Sequence, residues 1–349
     1  MPKIGHKFVP CSDCMANRQA GRPHGTAHGQ VIPNASHPRW SKFLGETFQK
    51  DGGPDDELIN YMQRIAGLAL TGFVQEHVLP FLWGNGHNGK PVIANVFQNL
   101  LGDADAGGYA LSAPDGFLMA GRDNVHPTEI ARLRGARLVV CSEQTSGKRV
   151  DETKIKRLTG GDVLTGRFMR GDFFDFHPSH LTLVLSNHLP AVREGGPAFW
   201  RRVRLIPFKH VVPENQRIPD LAEQLLATEG AAILGWAIRG AVAVLANRLA
   251  DPAAVLAATE DYRISEDTIA SFVRDECLLG NSYWCKISDF RHRYEQHCEE
   301  MGAEPLSGKA LGMRLTTEYP VKSGKHSRPK FRTYNGIALQ AEEDPNGDR

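Results

Sequence analysis

The densest chemistry in this chain lies in one short run, Gly84-Asn85-Gly86-His87-Asn88-Gly89-Lys90, of the form G-x-x-x-x-G-K. Glycines at such positions let backbone N–H groups curl around phosphate oxygens, and a lysine at the end reaches the terminal phosphates of a nucleotide. The flanks fit this use. Val78-Leu79-Pro80-Phe81-Leu82-Trp83 reads as a buried strand, with Pro80 expected at its first residues. After the loop, Val92, Ile93, Val96, Phe97, Leu100 and Leu101 form the apolar face of a helix that stops at Gly102. A helix N-terminus beside the loop adds favourable partial charge for an anion. The plainer reading is a glycine-rich turn before a helix. One position departs from the pattern: Pro91 stands where such loops carry Ser or Thr. Proline offers neither a hydroxyl for Mg²⁺ nor an N–H for phosphate, yet it suits a helix's first turn.

Further candidates follow in order. Arg137-Leu138-Val139-Val140-Cys141-Ser142-Glu143 is a short apolar strand ending in an acid, about fifty residues after the loop. An acid there can orient Mg²⁺ or an attacking water. Leu164 to Phe174 reads as a hairpin with Arg170-Gly171-Asp172 near its tip. Leu181 to Leu185 is a third strand, and Asn187 just beyond it can hold a water against a terminal phosphate. In Phe199-Trp200-Arg201-Arg202-Val203-Arg204-Leu205-Ile206-Pro207-Phe208 a pair of arginines precedes a buried strand, and one of them can serve as an arginine finger. The alternative for each is an ordinary surface charge.

These residues need a scaffold. Short apolar runs alternate with helical stretches and Gly-rich turns over 78–215, which predicts an α/β core. Residues 1–37, rich in Gly, Pro, His and Arg, predict a flexible segment, and 38–77 a helical part. A helical region is expected over 216–263 and a small domain over 264–340, with an acidic disordered tail at 341–349. In the small domain Ile287, Phe290, Tyr294 and Cys298 share one helical face, Ser307-Gly308 precedes a second helix around Lys309 to Leu315, and a basic strand pair follows. Lys322, Lys325, Arg328, Lys330 and Arg332 fall within 321–332 with no acid between them. Two helices and a basic hairpin predict a winged-helix-like DNA-binding module; the alternative is a packing domain with a solvated basic loop.

Composition narrows the classes. The chain has 349 residues, 41% hydrophobic and 23% charged, with a net charge of +1. That balance supplies no global attraction to nucleic acid, so any contact must come from local basic patches. No run of 18 or more apolar residues occurs, so no membrane partner is expected, and a cytoplasmic location is. Six cysteines suit reduced thiols. Cys11 and Cys14, with His24 and His28, have zinc-ligand types, but the gap to the histidines is short and no helix signal surrounds them. A flexible tail with incidental cysteines, and no zinc, is the expected reading.

The order of pieces FLWGNGHNGK, HPTEIARLRGARLVVCSEQ, KIKRLTGGDVLTGRFMRGDFFDFHP, LVLSNHLP and WRRVRLIPF resembles the superfamily 3 helicases of phage and plasmid primase-helicase proteins, relatives of poxvirus-type NTPases. The resemblance runs from about Trp40 to about Phe208 and continues more weakly beyond. It implies an AAA+-like phosphate-loop NTPase core with ATP and Mg²⁺ as cofactors, assembled as a ring, usually a hexamer, around single-stranded DNA. By motif position it implies that Gly84 to Pro91 cradle the nucleotide, that Lys90 contacts the β- and γ-phosphates, and that Glu143 serves Mg²⁺ through a water. Asn187 would sense the γ-phosphate, and Arg201 or Arg202 would reach a neighbour's ATP. The stretch Lys156 to Asp172 would carry a channel hairpin, with Arg170, Arg167 and Lys156 on the DNA backbone and Lys325, Arg328 and Lys330 as further DNA contacts. Relatives of this kind carry a primase region upstream, and about forty residues precede the matching part here, so either a separate primase or polymerase does the priming or this is a shortened version. The resemblance also implies a bacterial, phage- or plasmid-associated setting. Three functions stay open: an active helicase, a ring whose hydrolysis Pro91 impairs, and a DNA-binding adaptor.

Overall fold

The computed structural model describes residues 35–121, 127–143, 148–192, 195–327 and 330–340. Cys11, Cys14, His24, His28, Arg328 and the 341–349 tail lie outside them. The chain runs α1 (Pro38–Thr47), a small hairpin of β1 (Gln49–Lys50) and β2 (Gly53–Pro54), α2 (Asp56–Thr71), β3 (Leu79–Trp83), α3 (Lys90–Leu101), β4 (Ala110–Ser112), α4 (Pro127–Ala131), β5 (Leu138–Glu143) and α5 (Glu152–Thr159). Then come β6 (Leu164–Gly166), β7 (Phe174–Phe176), β8 (Leu181–Ser186), α6 (Pro197–Trp200), β9 (Val203–Pro207), α7 (Leu221–Asn247) and α8 (Ala253–Ser265). The chain continues with α9 (Thr268–Glu276), β10 (Cys277–Lys286), α10 (Ile287–Glu300), α11 (Gly308–Glu318), β11 (Lys322–Ser327) and β12 (Lys330–Leu339).

Five strands form a parallel sheet in the order β4-β5-β8-β3-β9. Both faces are covered, so its strands are apolar on both sides, as a parallel sheet requires. Leu82, Leu138, Val140, Leu183 and Ile206 point into one buried cluster with α1, α2, α3 and α7; Leu79, Phe81, Val139, Cys141, Val184 and Leu205 point into another with α5, α6 and the β6–β7 hairpin. The helical stretches before and after the α/β region therefore share one core. Pro80 sits second in a central strand, where a missing N–H is costly. The structure accommodates it because β8 pairs with β3 only from Phe81 onward.

Helix starts follow local chemistry. Asp55, Asp151, Asp267 and Ser307 cap α2, α5, α9 and α11 by accepting N–H groups three residues on. The α1 terminus has no such residue. Buried Glu229 of α7 accepts from Arg39 N (3.0 Å) and Trp40 N (2.9 Å) instead, a cap supplied from 189 and 190 residues away. By length and composition α7 would suffice to cross a membrane. Its Leu225, Ile233, Trp236, Ala237 and Val244 are buried in the core cluster with α2 and α3. The α2–α7 crossing is very close: a Cβ on Gly240 would lie 1.9 Å from Gln63 O, and one on Gly67 2.0 Å from Ala241 N.

The region after α8 has its own core around Phe272, Phe290, Tyr294, Leu315, Tyr334 and Ile337. It contains one helix and one strand more than the sequence reading expected. The added strand, β10, pairs with β12, giving a sheet of order β10-β12-β11. Its pattern is broken by a register shift between Leu279 and Trp284, and it exposes Leu278, Leu279, Tyr283 and Trp284, so no clean alternation marks it.

Gly240→Ala should lower stability by about 1–3 kcal/mol or more, because the added methyl meets backbone and must separate two helices. Thermal unfolding of the variant beside Ala241→Ser checks this; an unchanged midpoint in Gly240→Ala would show that the two helices separate at no cost.

Candidate nucleotide site

The sheet register sets the site. Trp83, the last residue of β3, is level with Ser186 of β8, and Ser186 is level with Glu143 of β5. The phosphate loop, Asn187 and Glu143 thus emerge at the same edge of three adjacent parallel strands. Ligands in open α/β sheets bind outside the carboxyl ends of the strands, where helix N-termini also point.

The loop is shaped by its surroundings. Gly84 has φ +152°, and a Cβ there would lie 2.3 Å from Phe208 O. Only glycine fits. Asn88 is buried, and its amide donates to Phe208 O (3.1 Å). Val212 N donates to His87 O (2.8 Å), so the segment after β9 braces the loop from the outside. Behind Gly89, φ +85°, stand Thr47 and Phe43 of α1. Asn85, Gly86 and His87 are exposed. Among the described residues, no hydrogen bond is donated by the backbone N–H groups of Asn85 to Lys90. A row of free amides beside a helix terminus is what a phosphate needs.

Lys90 is 3% exposed and opens α3. Its Nζ donates to Gly84 O (2.5 Å), Asn88 Oδ1 (3.0 Å) and Asn85 O (3.3 Å). Three neutral acceptors satisfy the ammonium without neutralising it. Burial pushes its pKa down to about 8. Pro91 follows, exposed, in the first turn of α3. The residues therefore fit a nucleotide's phosphates, whereas the loop brings no hydroxyl for a metal.

The other expected residues fall in distinct places. Asn187 is exposed just past β8. The two arginines differ. Arg201 is exposed, while Arg202 is buried, with Nε on Thr159 Oγ1 (3.1 Å) and a guanidinium N–H on Ala198 O. Burial, and Arg201 beside it, pull the pKa of Arg202 below its usual value. Arg202 is thus tied within the chain, whereas Arg201 stands at the surface. Lys156 lies on α5 rather than the hairpin, facing Glu152 at 3.7 Å. Arg167 and Arg170 are exposed on the β6–β7 loop, which joins a two-stranded sheet separate from the five-stranded one. Lys325 and Lys330 are exposed on the β11–β12 hairpin. The sequence reading missed the bracing carbonyl of Phe208 and the backing by Thr47 and Phe43, since neither carries a motif. It also missed the exposed Phe168, Met169 and Phe173 beside Arg167 and Arg170, whose alternation of rings and cations is visible in the sequence.

The chain is similar to viral proteins named as helicases. It is 29% identical over 186 residues to "Putative helicase 121R" of Invertebrate iridescent virus 3, covering 52% of this chain and 19% of that protein. It is 27% identical over 246 residues to "Putative helicase 022R" of Frog virus 3 (isolate Goorha), covering 64% of this chain and 24% of that protein. The chain thus spans about a fifth to a quarter of the length of these relatives. No family model matches. Among solved structures, an apo form of the NrS-1 C-terminal region has the same fold, with a TM-score of 0.51 over 88% of this chain and 77% of that one, at 13% identity. These likenesses support a helicase-like family, and the central parallel sheet is consistent with a phosphate-loop NTPase fold.

Bound phosphate would favour the charged form of Lys90, so nucleotide binding takes up a proton once pH nears 8. Affinity for ATP should fall as pH rises above about 8, by up to about tenfold per pH unit, and Lys90→Met should bind weakly without that decline. Calorimetric titration from about pH 7 to about pH 9.5 measures it; a flat wild-type profile would remove Lys90 from the phosphate contact.

Proposed function

We propose that this chain is the ATP-hydrolysing motor of a superfamily 3, AAA+-like DNA helicase acting in replication of viral, phage, plasmid or prophage DNA. The observation that carries this is the alignment of the phosphate loop, Asn187 and Glu143 along one edge of β3, β8 and β5. In this reading the free amides of the loop and the Lys90 ammonium hold the β- and γ-phosphates. Mg²⁺, when bound, would neutralise charge developing on the transferred phosphoryl group, with Glu143 as the residue on this chain to serve it. Asn187 orients the attacking water. Arg201 reaches the nucleotide of a neighbouring subunit, which makes the working unit a ring, a hexamer in this reading, around single-stranded DNA. Arg170 and Arg167 contact the strand's phosphates, and Lys156 of α5 adds a further contact.

The unit after α8 runs helix, strand, helix, helix, strand, strand, with α9, α10 and α11 packed on the three-stranded sheet. That order supports a winged-helix reading, in which Lys325 and Lys330 lie on the wing and contact DNA. A second reading has its own observation: Pro91 supplies no hydroxyl at the start of α3, so a ring that binds nucleotide but turns it over poorly also fits.

Steady-state ATPase rates with and without single-stranded DNA separate these readings. The wild type should hydrolyse ATP, faster with DNA; Lys90→Ala should lose at least about a hundredfold in turnover, as when one preorganised cation is removed from a transition state. Pro91→Ser should raise the rate. A silent wild type restored by Pro91→Ser would establish the impaired ring, and DNA binding indifferent to nucleotide and to Lys90→Ala would make the protein an adaptor.

A further inference from the structure

The loop between β6 and β7 presents apolar rings and cations together at the surface. All seven residues from Arg167 to Phe173 are exposed. Three are large and apolar: Phe168 is 48% exposed, Met169 80% and Phe173 59%. Two are arginines, against one acid, Asp172. The base of the loop is held firmly. Arg167 N donates to Pro127 O (3.3 Å), Thr128 Oγ1 donates to Arg167 O (3.1 Å), and Gly166 lies so close to α4 that a Cβ would meet Ala131 Cα at 2.7 Å. The tip is a tight turn, closed by Gly171 N donating to Phe168 O (3.0 Å). Arg170 takes its left-handed position, φ +61°, where glycine would be relaxed.

The rings are arranged as well as exposed. Phe168 stacks on Phe174 at 5.6 Å and 28°, and the guanidinium of Arg134 lies 5.1 Å over Phe174. The guanidinium of Arg167 lies 4.6 Å over Phe173. Flat apolar faces interleaved with cations, on a tip that is stiff at its base, match a chain of flat bases joined by phosphates. A purely electrostatic phosphate contact would need the arginines alone.

We infer that this tip grips single-stranded nucleic acid through its bases, which stack on Phe168 and Phe173 and against Met169, while Arg170 and Arg167 hold the adjoining phosphates. The inference rests on the proposed reading of the hairpin as the strand-contacting element and adds to it the chemical group that is contacted. Because every base has a stacking face, such a grip tolerates any sequence.

The test compares two fluorescein-labelled oligonucleotides of equal phosphate count and about twenty positions, oligo(dT) and its abasic counterpart, by anisotropy at one salt concentration. The wild type should bind oligo(dT) about five- to a hundredfold tighter than the abasic strand. Phe168→Ala and Phe173→Ala should each shrink that ratio toward one, chiefly by weakening oligo(dT) binding. Phe168→Tyr and Phe173→Trp, which keep a ring, should preserve it. Arg170→Ala should weaken both strands alike. Circular dichroism melting checks that each variant is folded. Equal wild-type binding of the two strands, or no binding of either, overturns the inference. So does a Phe168→Ala protein that keeps the ratio but sediments as a smaller species, which would make the tip a contact between subunits. A base preference with no ATPase activity would sink the motor and leave the tip's assignment standing; DNA-stimulated ATPase with no base preference would do the reverse.

Discussion

A central strand that is in register with both its neighbours is the constraint from which the candidate site follows. Because β8 lies between β3 and β5, and Ser186 is level with both Trp83 and Glu143, the chain that leaves each strand does so at one height. Parallel pairing makes this possible, since all three strands point the same way and their crossovers return over the faces of the sheet. Had β8 slipped by one residue, Asn187 would turn to the other face, and the loop and Glu143 would lose their intermediary.

The loop itself depends on groups far away in sequence. Its glycines permit the curl, but Phe208 O, Val212 N and the α1 residues Phe43 and Thr47 hold it. α1 is in turn capped by Glu229 of α7, and α7 crosses α2 at glycine–glycine distance. A helix pair at either end of the α/β stretch thereby backs the phosphate site. The single cation of the loop is enclosed by three oxygen acceptors that stabilise it without a counter-ion. An ammonium buried in that way is costly to keep charged, and it gains most from an incoming anion.

Much of this was legible in the residues because it is local. G-x-x-x-x-G-K between a strand and an amphipathic helix declares its geometry, as do the strands ending at Glu143 and before Asn187, whose neighbours are apolar on every side. The hairpin around Arg170 was marked by its turn residues. What was not legible is long-range or pattern-free. The tertiary cap by Glu229 leaves no trace near α1. β10 presents Leu278, Leu279, Tyr283 and Trp284 outward across an interrupted ladder, which erases the alternation that identifies a strand. The unequal fates of Arg201 and Arg202 follow from which side of one short helix each leaves, and adjacent identical residues give no hint of that.

The same long-range bonding bears on how the ends of the molecule are joined. Thr159 closes α5, the helix that leads into the hairpin. Its hydroxyl accepts from Arg202 Nε (3.1 Å) and donates to Ile155 O (2.7 Å), while its carbonyl meets His77 Nδ1 at 2.8 Å, two residues before β3 begins. One residue thus fastens the root of the hairpin to the arginine pair ahead of β9 and to the strand that feeds the phosphate loop. β3 and β9 are themselves paired along five residues. Any shift of α5 that moved the hairpin would break both of these bonds or drag the two strands with it. Packed interiors resist such partial displacement. Thr159 therefore ties the segment carrying Arg201 to the root of the hairpin.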